Sequence, residues 1–256
     1  MIRLVGVHKT FLPGTPDARA LLQDFNLQID PGEFVVLLGA NGAGKSTLFH
    51  LLAGTETVDK GQIWIDGMNV TSQTEPQRAQ WISRVFQDPR HGSAAALTLE
   101  ENLALAQRRG LPRRLRGFRQ VGGGGASSFA PALEKLGMGL ESRLHDPMSL
   151  LSGGQRQAVT LLMASMLRPK ILLLDEHTAA LDPHAETAIL ALTARTIADQ
   201  GLTALMITHN LAHALRYGTR LLLLQGGKIA LDVRGKEKEA LKLEELYARY
   251  GAEERI

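Results

Sequence analysis

The sequence predicts an α/β fold, a mostly parallel sheet with flanking helices that carries an antiparallel β part and an inserted α-helical part. Three observations predict it. The run Phe34-Val35-Val36-Leu37-Leu38 is apolar on both faces and ends in a glycine-rich loop, as a buried parallel strand feeding a helix does. From Ile171 onward, strand-like runs (Ile171 to Leu174, Ala204 to Thr208, Leu221 to Leu224) alternate with helical stretches (Ala185 to Asp199, Leu211 to Tyr217), the rhythm of βαβ units. Between these parts, from about Thr98 to Leu167, apolar residues fall at helical spacing, interrupted by Pro112, Gly122 to Gly125, Pro131 and Pro147.

Taken in order, Ile2 to Val7 and then Phe25, Leu27 and Ile29 read as antiparallel strands, and Pro31-Gly32 marks a turn. After the buried strand, a helix should start near Lys45. Ile63-Trp64-Ile65 should be a strand closed by Asp66-Gly67, because that dipeptide tolerates the positive dihedrals of a tight turn. The tail from Lys236 to Tyr250 reads as one amphipathic helix. These assignments predict one domain over 1–256, with a core from 1–97 and 168–256 and a helical subdomain over about 98–167.

Composition narrows the class of activity. The 256 residues are 44% hydrophobic and 21% charged, a globular balance that excludes wholesale disorder. The longest apolar runs are strand-sized, well short of the roughly 18–20 residues of a membrane-spanning helix. The N-terminus lacks the regions of a signal peptide and cysteine is absent, both of which fit the cytosol. A net charge of +3 is too small to imply nucleic-acid binding. The one basic stretch, Arg108, Arg109, Arg113, Arg114, Arg116 and Arg119, lacks interleaved aromatics and reads as a solvated loop or as an interface with lipid head groups or a partner protein.

Gly39-Ala40-Asn41-Gly42-Ala43-Gly44-Lys45-Ser46-Thr47 matches G-x-x-x-x-G-K-[ST] between a buried strand and a helix, and so predicts a P-loop NTPase core. Its glycines let backbone amides turn around phosphate oxygens at a helix N-terminus. Lys45 is expected to reach the β- and γ-phosphates of ATP, and Ser46 to ligate Mg²⁺. Ile171-Leu172-Leu173-Leu174-Asp175-Glu176 is an apolar strand ending in two carboxylates. Asp175 should hold Mg²⁺ through its water shell, while Glu176 should polarise the attacking water.

Any P-loop NTPase could carry those two motifs; Leu151-Ser152-Gly153-Gly154-Gln155 is more selective. With this pentapeptide the sequence resembles the ABC ATPase family over nearly its whole length. The resemblance implies that Ser152, Gly153, Gly154 and Gln155 grip the γ-phosphate of nucleotide bound to the opposite protomer. The local chemistry agrees, since a serine and two glycines ahead of the helical stretch Gln155 to Leu167 make a helix N-terminal anion site. One chain already has a loop for its own ATP, so a second site implies a head-to-tail pair.

The same resemblance assigns single residues. Phe11 takes the place of the aromatic that stacks on adenine, and Gln87 that of a glutamine touching Mg²⁺ or water. His209 matches a switch histidine on the γ-phosphate, and Asp182 lies in the loop that couples the two protomers. Two departures stand out: Ala179 replaces a serine of that loop, and His177 replaces the commonest proline after Glu176, without an evident reason. The implied assembly is two copies on separate transmembrane permease subunits at the cytoplasmic face of the membrane. Thr10 to Pro16, Arg84 to Pro89 and Asp175 to Pro183 look like importers that work with an extracytoplasmic substrate-binding protein, within a group suggested to take up tryptophan or tyrosine. The alternatives are an exporter or lipid-extraction ATPase, and a soluble ATPase of translation or DNA repair. The latter usually carries two cassettes or a long coiled coil, and neither is present in the sequence.

Overall fold

A computed structural model describes residues 1–12, 14–110 and 129–250. Strands β1 (Ile2–Phe11), β2 (Arg19–Ile29), β4 (Lys60–Ile65) and β5 (Met68–Asn69) form a four-stranded antiparallel sheet in the order β2-β1-β4-β5. Asp66 and Gly67 turn β4 into β5 with φ of 51° and 82°, the tight hairpin expected of that dipeptide.

Strands β3 (Phe34–Leu38), β6 (Ile82–Val85), β7 (Ile171–Asp175), β8 (Ala204–Ile207), β9 (Arg220–Gln225) and β10 (Lys228–Arg234) form the second sheet, ordered β10-β9-β3-β8-β7-β6. All its pairings are parallel except β9 with β10. β3 sits inside and is buried at all five positions, which explains its unbroken apolar run. Its side chains alternate between two cores. Val35 and Leu37 pack with Leu48, Phe49 and Leu52 of helix α1 (Lys45–Ala53) and with Ile2, Leu4 and Ile63 of the antiparallel sheet. Val36 and Leu38 pack on the other face with residues of later helices, Ala158, Ile189, Leu190 and Ala214.

Helix α2 (Glu75–Arg78) precedes β6, and its Arg78, 1% exposed, donates to the carbonyls of Leu51, Leu52, Thr71 and Gln73. Between β6 and β7 lie α3 (Leu99–Ala106), α4 (Ala130–Glu134) and α5 (Gly153–Ser165). They share a separate apolar cluster built on Leu99, Leu103, Phe129, Leu133, Leu140, Met148 and Val159. Of the basic stretch, Arg109 donates to the Ala164 carbonyl; Arg113, Arg114, Arg116 and Arg119 lie outside the described residues.

Helices α6 (Pro183–Gln200) and α7 (Leu211–Arg216) cover the sheet face opposite α1. The tail differs from the sequence expectation: it is two helices, α8 (Lys236–Ala240) and α9 (Leu243–Tyr250). Lys238 is buried and donates to the carbonyls of Leu215 and Tyr217, capping α7, and the extended backbone at Leu241 then redirects the chain. Among the described residues no helix is long and apolar enough to cross a membrane.

Candidate active site

Parallel strands deliver their C-terminal ends to one edge of a sheet, and β3, β8 and β7 are neighbours. The segments after these three strands therefore converge. The loop after β3 runs from Gly39 into α1, with Gly44 at the helix N-cap in the left-handed region at φ 103°. Gly39 needs its missing side chain, since a Cβ there would lie 2.5 Å from the Leu224 carbonyl oxygen. Ala43 and Thr47 are buried, Ala40 is half-buried, and Asn41, Gly42 and Ser46 are exposed along the open side of the loop. Lys45 is 5% exposed, and its Nζ donates to the carbonyls of Gly39 at 2.6 Å and Ala40 at 2.9 Å. The ammonium is thus held against the carbonyls of the loop itself.

Asp175 closes β7 opposite Ile207 of β8, and Glu176 follows it into the turn. Glu176 adopts φ 43°, a left-handed conformation costing a residue with a side chain about 1–2 kcal/mol. Its N–H donates to the Ile207 carbonyl and its own carbonyl accepts from Ala179, which pin the turn. Glu176 Oε1 lies 2.5 Å from Nε2 of His209, just past β8. This carboxylate and imidazole, 20% and 38% exposed, meet at the sheet edge where the phosphate loop opens. An imidazole so placed fixes the direction in which the carboxylate points.

The remaining predicted residues occupy distinct places. Phe11 ends β1, half-buried, with the Lys9 ammonium 5.2 Å from its ring centre. The next strand, β2, reaches the phosphate loop: the Leu21 carbonyl is 3.4 Å from where a Cβ on Gly44 would stand. Gln87 is exposed just beyond β6, and the preceding Phe86 carbonyl accepts from the buried Gln157 of α5 at 3.4 Å. Ser152 caps α5: its Oγ accepts from the Gln155 N–H at 3.2 Å while Gln155 Oε1 accepts from the Ser152 N–H at 3.1 Å. Gly153 and Gly154 have a second reason to be small. Cβ atoms there would stand 3.3 Å from Leu181 and Ala185, at the start of α6. Asp182 caps α6, accepting from the N–H groups of His184 and Ala185. Those donors, Ala185 foremost, hold its carboxyl below the usual carboxylate range.

Three residues carry roles that the sequence reading missed. His177 is buried, with Nε2 3.0 Å from Thr193 Oγ1 on α6, and burial pushes its imidazole down to about 4. The residue that stands where a proline is commonest thus tethers the turn carrying Glu176 to a helix. Arg84 of β6 donates to Asp175 Oδ2. Tyr250 at the end of α9 donates to the Gly39 carbonyl at 3.3 Å. None of the three had a local signal: Arg84 lies in a four-residue strand that does not read as buried, and the other two depend on long-range packing.

The sequence profile of the ABC transporter family matches residues 22–179, more than half of the chain. The chain belongs to the ABC transporter family. ATP hydrolysis is the activity of such ATP-binding domains and of this subunit. Among relatives of this ABC ATPase is a tyrosine transport ATP-binding protein of Clostridioides difficile, 39% identical over 98% of either chain. A thiamine import ATP-binding protein of Photorhabdus laumondii is 37% identical over 83% of this chain and 84% of its own. A dimeric ATP-binding cassette in a post-hydrolysis state with ADP and Pi is 27% identical, superposes with a TM-score of 0.74, and matches over 91% of this chain and 98% of its own. The α/β architecture is therefore that of ABC ATPase cassettes.

The chemistry of the donor set tests whether Mg²⁺ fits here. Ser46, Gln87 and Asp175 offer hydroxyl, amide and carboxylate oxygens, and among the described residues no group of three or more His, Cys, Asp and Glu forms a cage. Hard oxygens of this kind, few in number, suit a cation that keeps waters and shares substrate phosphates.

Proposed function

We propose that this ATPase energises import of a small solute, an aromatic amino acid such as tyrosine, through separate permease subunits at the cytoplasmic face of the membrane. Full-length similarity to a tyrosine transport ATP-binding protein supports the solute, and relatives named for import favour uptake over export or a soluble role. An extracytoplasmic binding protein would deliver the solute.

The hydrolytic reading is carried by one observation, the Glu176 and His209 contact at the mouth of the phosphate loop. The backbone of 39–47 and Lys45 bind the phosphates, and Phe11 covers the adenine. Glu176, oriented by His209, takes the proton of the attacking water. Ser46, Gln87 and Asp175 would hold Mg²⁺, which supplies charge neutralisation on the phosphates. Ser152, Gly153, Gly154 and Gln155 close over the nucleotide of a second copy, and Asp182 lies in the coupling loop between the two. Residues 98–167 act as a helical subdomain, and a groove between it and the core near Gln87 receives the permease.

The test is uptake of labelled tyrosine, tryptophan and thiamine into vesicles holding the subunit with its permease and binding protein. ATP-dependent accumulation of an aromatic amino acid that vanishes with Lys45→Ala is the expected result. Accumulation of thiamine alone would overturn the solute, and export from preloaded vesicles the direction.

A further inference from the structure

β6 lies at the edge of the parallel sheet beside β7, with Arg84 opposite Leu173. Side chains two residues apart on a strand share a face, so Asp175 falls on the face of Arg84 and toward α1. Their side chains, 15% and 16% exposed, form an ion pair through Arg84 Nη2 and Asp175 Oδ2. The guanidinium carbon also stands 4.8 Å from the Phe86 ring centre, while Arg84 Nε has no hydrogen-bond partner among the described residues. A permanently charged group is thus held by one carboxylate and one ring face, in a strand otherwise built for burial. Such placement has a cost that the ion pair alone need not repay.

We propose that Arg84 is a positioning residue that acts as the resident counter-ion of Asp175 and sets the divalent-cation requirement of the site. Guanidinium and hydrated cation attract the same carboxylate, so Arg84 competes with the metal. It also leaves a positive charge on the sheet face toward α1, the helix that follows the phosphate loop, which favours ATP when the metal is scarce. The inference rests on the metal role proposed for Asp175, and the experiment separates the two.

Binding of fluorescent mant-ATP to the purified full chain is measured in EDTA and across a Mg²⁺ titration, for wild type, Arg84→Met, Arg84→Lys and Asp175→Asn. Arg84→Met should weaken metal-free binding and lower the half-saturating Mg²⁺ concentration, each by about fivefold, the size of a partly exposed charge pair. These are opposite movements, whereas local misfolding would weaken binding in both conditions. Arg84→Lys keeps the charge and should stay near wild type. If Asp175→Asn raises the Mg²⁺ requirement but Arg84→Met leaves it unchanged or raises it, the competition is refuted while the role of Asp175 stands. An Asp175→Asn variant with an unaltered Mg²⁺ requirement overturns both.

Discussion

At the scale of single residues, the proposed site divides into groups assigned to binding and groups assigned to reaction. Glu176→Gln keeps size and hydrogen-bonding capacity but removes the base facing His209, so mant-ATP should bind normally while phosphate release slows by about a hundredfold or more. Near-normal steady-state turnover would remove Glu176 from its role. Lys45→Ala acts earlier. It deletes the cation held over the loop by the carbonyls of Gly39 and Ala40, and both nucleotide affinity, read by calorimetry, and turnover should collapse with the fold intact. Unchanged affinity would contradict the phosphate-loop assignment. His177 shows what a sequence cannot say of one residue: its partner Thr193 is 16 positions away, on another element.

At the scale of elements, Asp182 caps the longest described helix, and its carboxyl is depressed mainly by the Ala185 N–H. Its stabilising effect is fully present above the unfolded carboxylate value of about 4 and is lost as pH falls through the lower folded value. Asp182→Ala should therefore melt below wild type at neutral pH, and the gap should narrow in acid; a gap that widens on acidification would exclude the cap as its source. Elements marked by an unbroken apolar run, a glycine-rich motif or a turn dipeptide were legible, including β3, β7, β8, α1 and the Asp66-Gly67 hairpin. β10 went unrecognised although Ile229, Leu231 and Val233 alternate with more exposed residues after Gly226-Gly227, whose φ of 52° and 74° make a two-residue hairpin. Its weak signal follows from lying at a sheet edge, half-exposed. β6 hid because four residues that include Ser83 and Arg84 do not read as a buried strand. The single tail helix failed because the backbone turns extended at Leu241, after Lys238 has tied α8 to the end of α7, a long-range contact invisible to local spacing.

For the molecule as a whole, the motifs were legible one by one, while their meeting depended on the strand order β3-β8-β7, which no local pattern encodes. The claim that reaches beyond one chain is that the signature acts in trans. Asn41 is exposed on the phosphate loop, Ser152 is exposed at the cap of α5, and the chain has no cysteine of its own. Asn41→Cys and Ser152→Cys in separate copies, in a Glu176→Gln background, should cross-link two chains when ATP is present. A link formed only within a single chain, seen by mass spectrometry of mixed isotopic labels, would rule out the sandwich.

The register of β7 has a genetic consequence. Leu174 stands opposite Met206 and Asp175 opposite Ile207, so the two acids after the apolar run owe their different surroundings to a count of residues from Ile171. Loss of one codon among Leu172 to Leu174 would leave every motif readable. Yet it would draw Glu176 into the slot beside Arg84, offer the left-handed turn to His177, and push the Asp175 carboxylate into the buried apolar slot of Leu174. This strand should therefore accept many exchanges among Ile, Leu and Val but no change of length. Deep mutational scanning with single-codon deletions would show a sharp trough from Ile171 to Glu176, far below the tolerance of the same positions to apolar substitution.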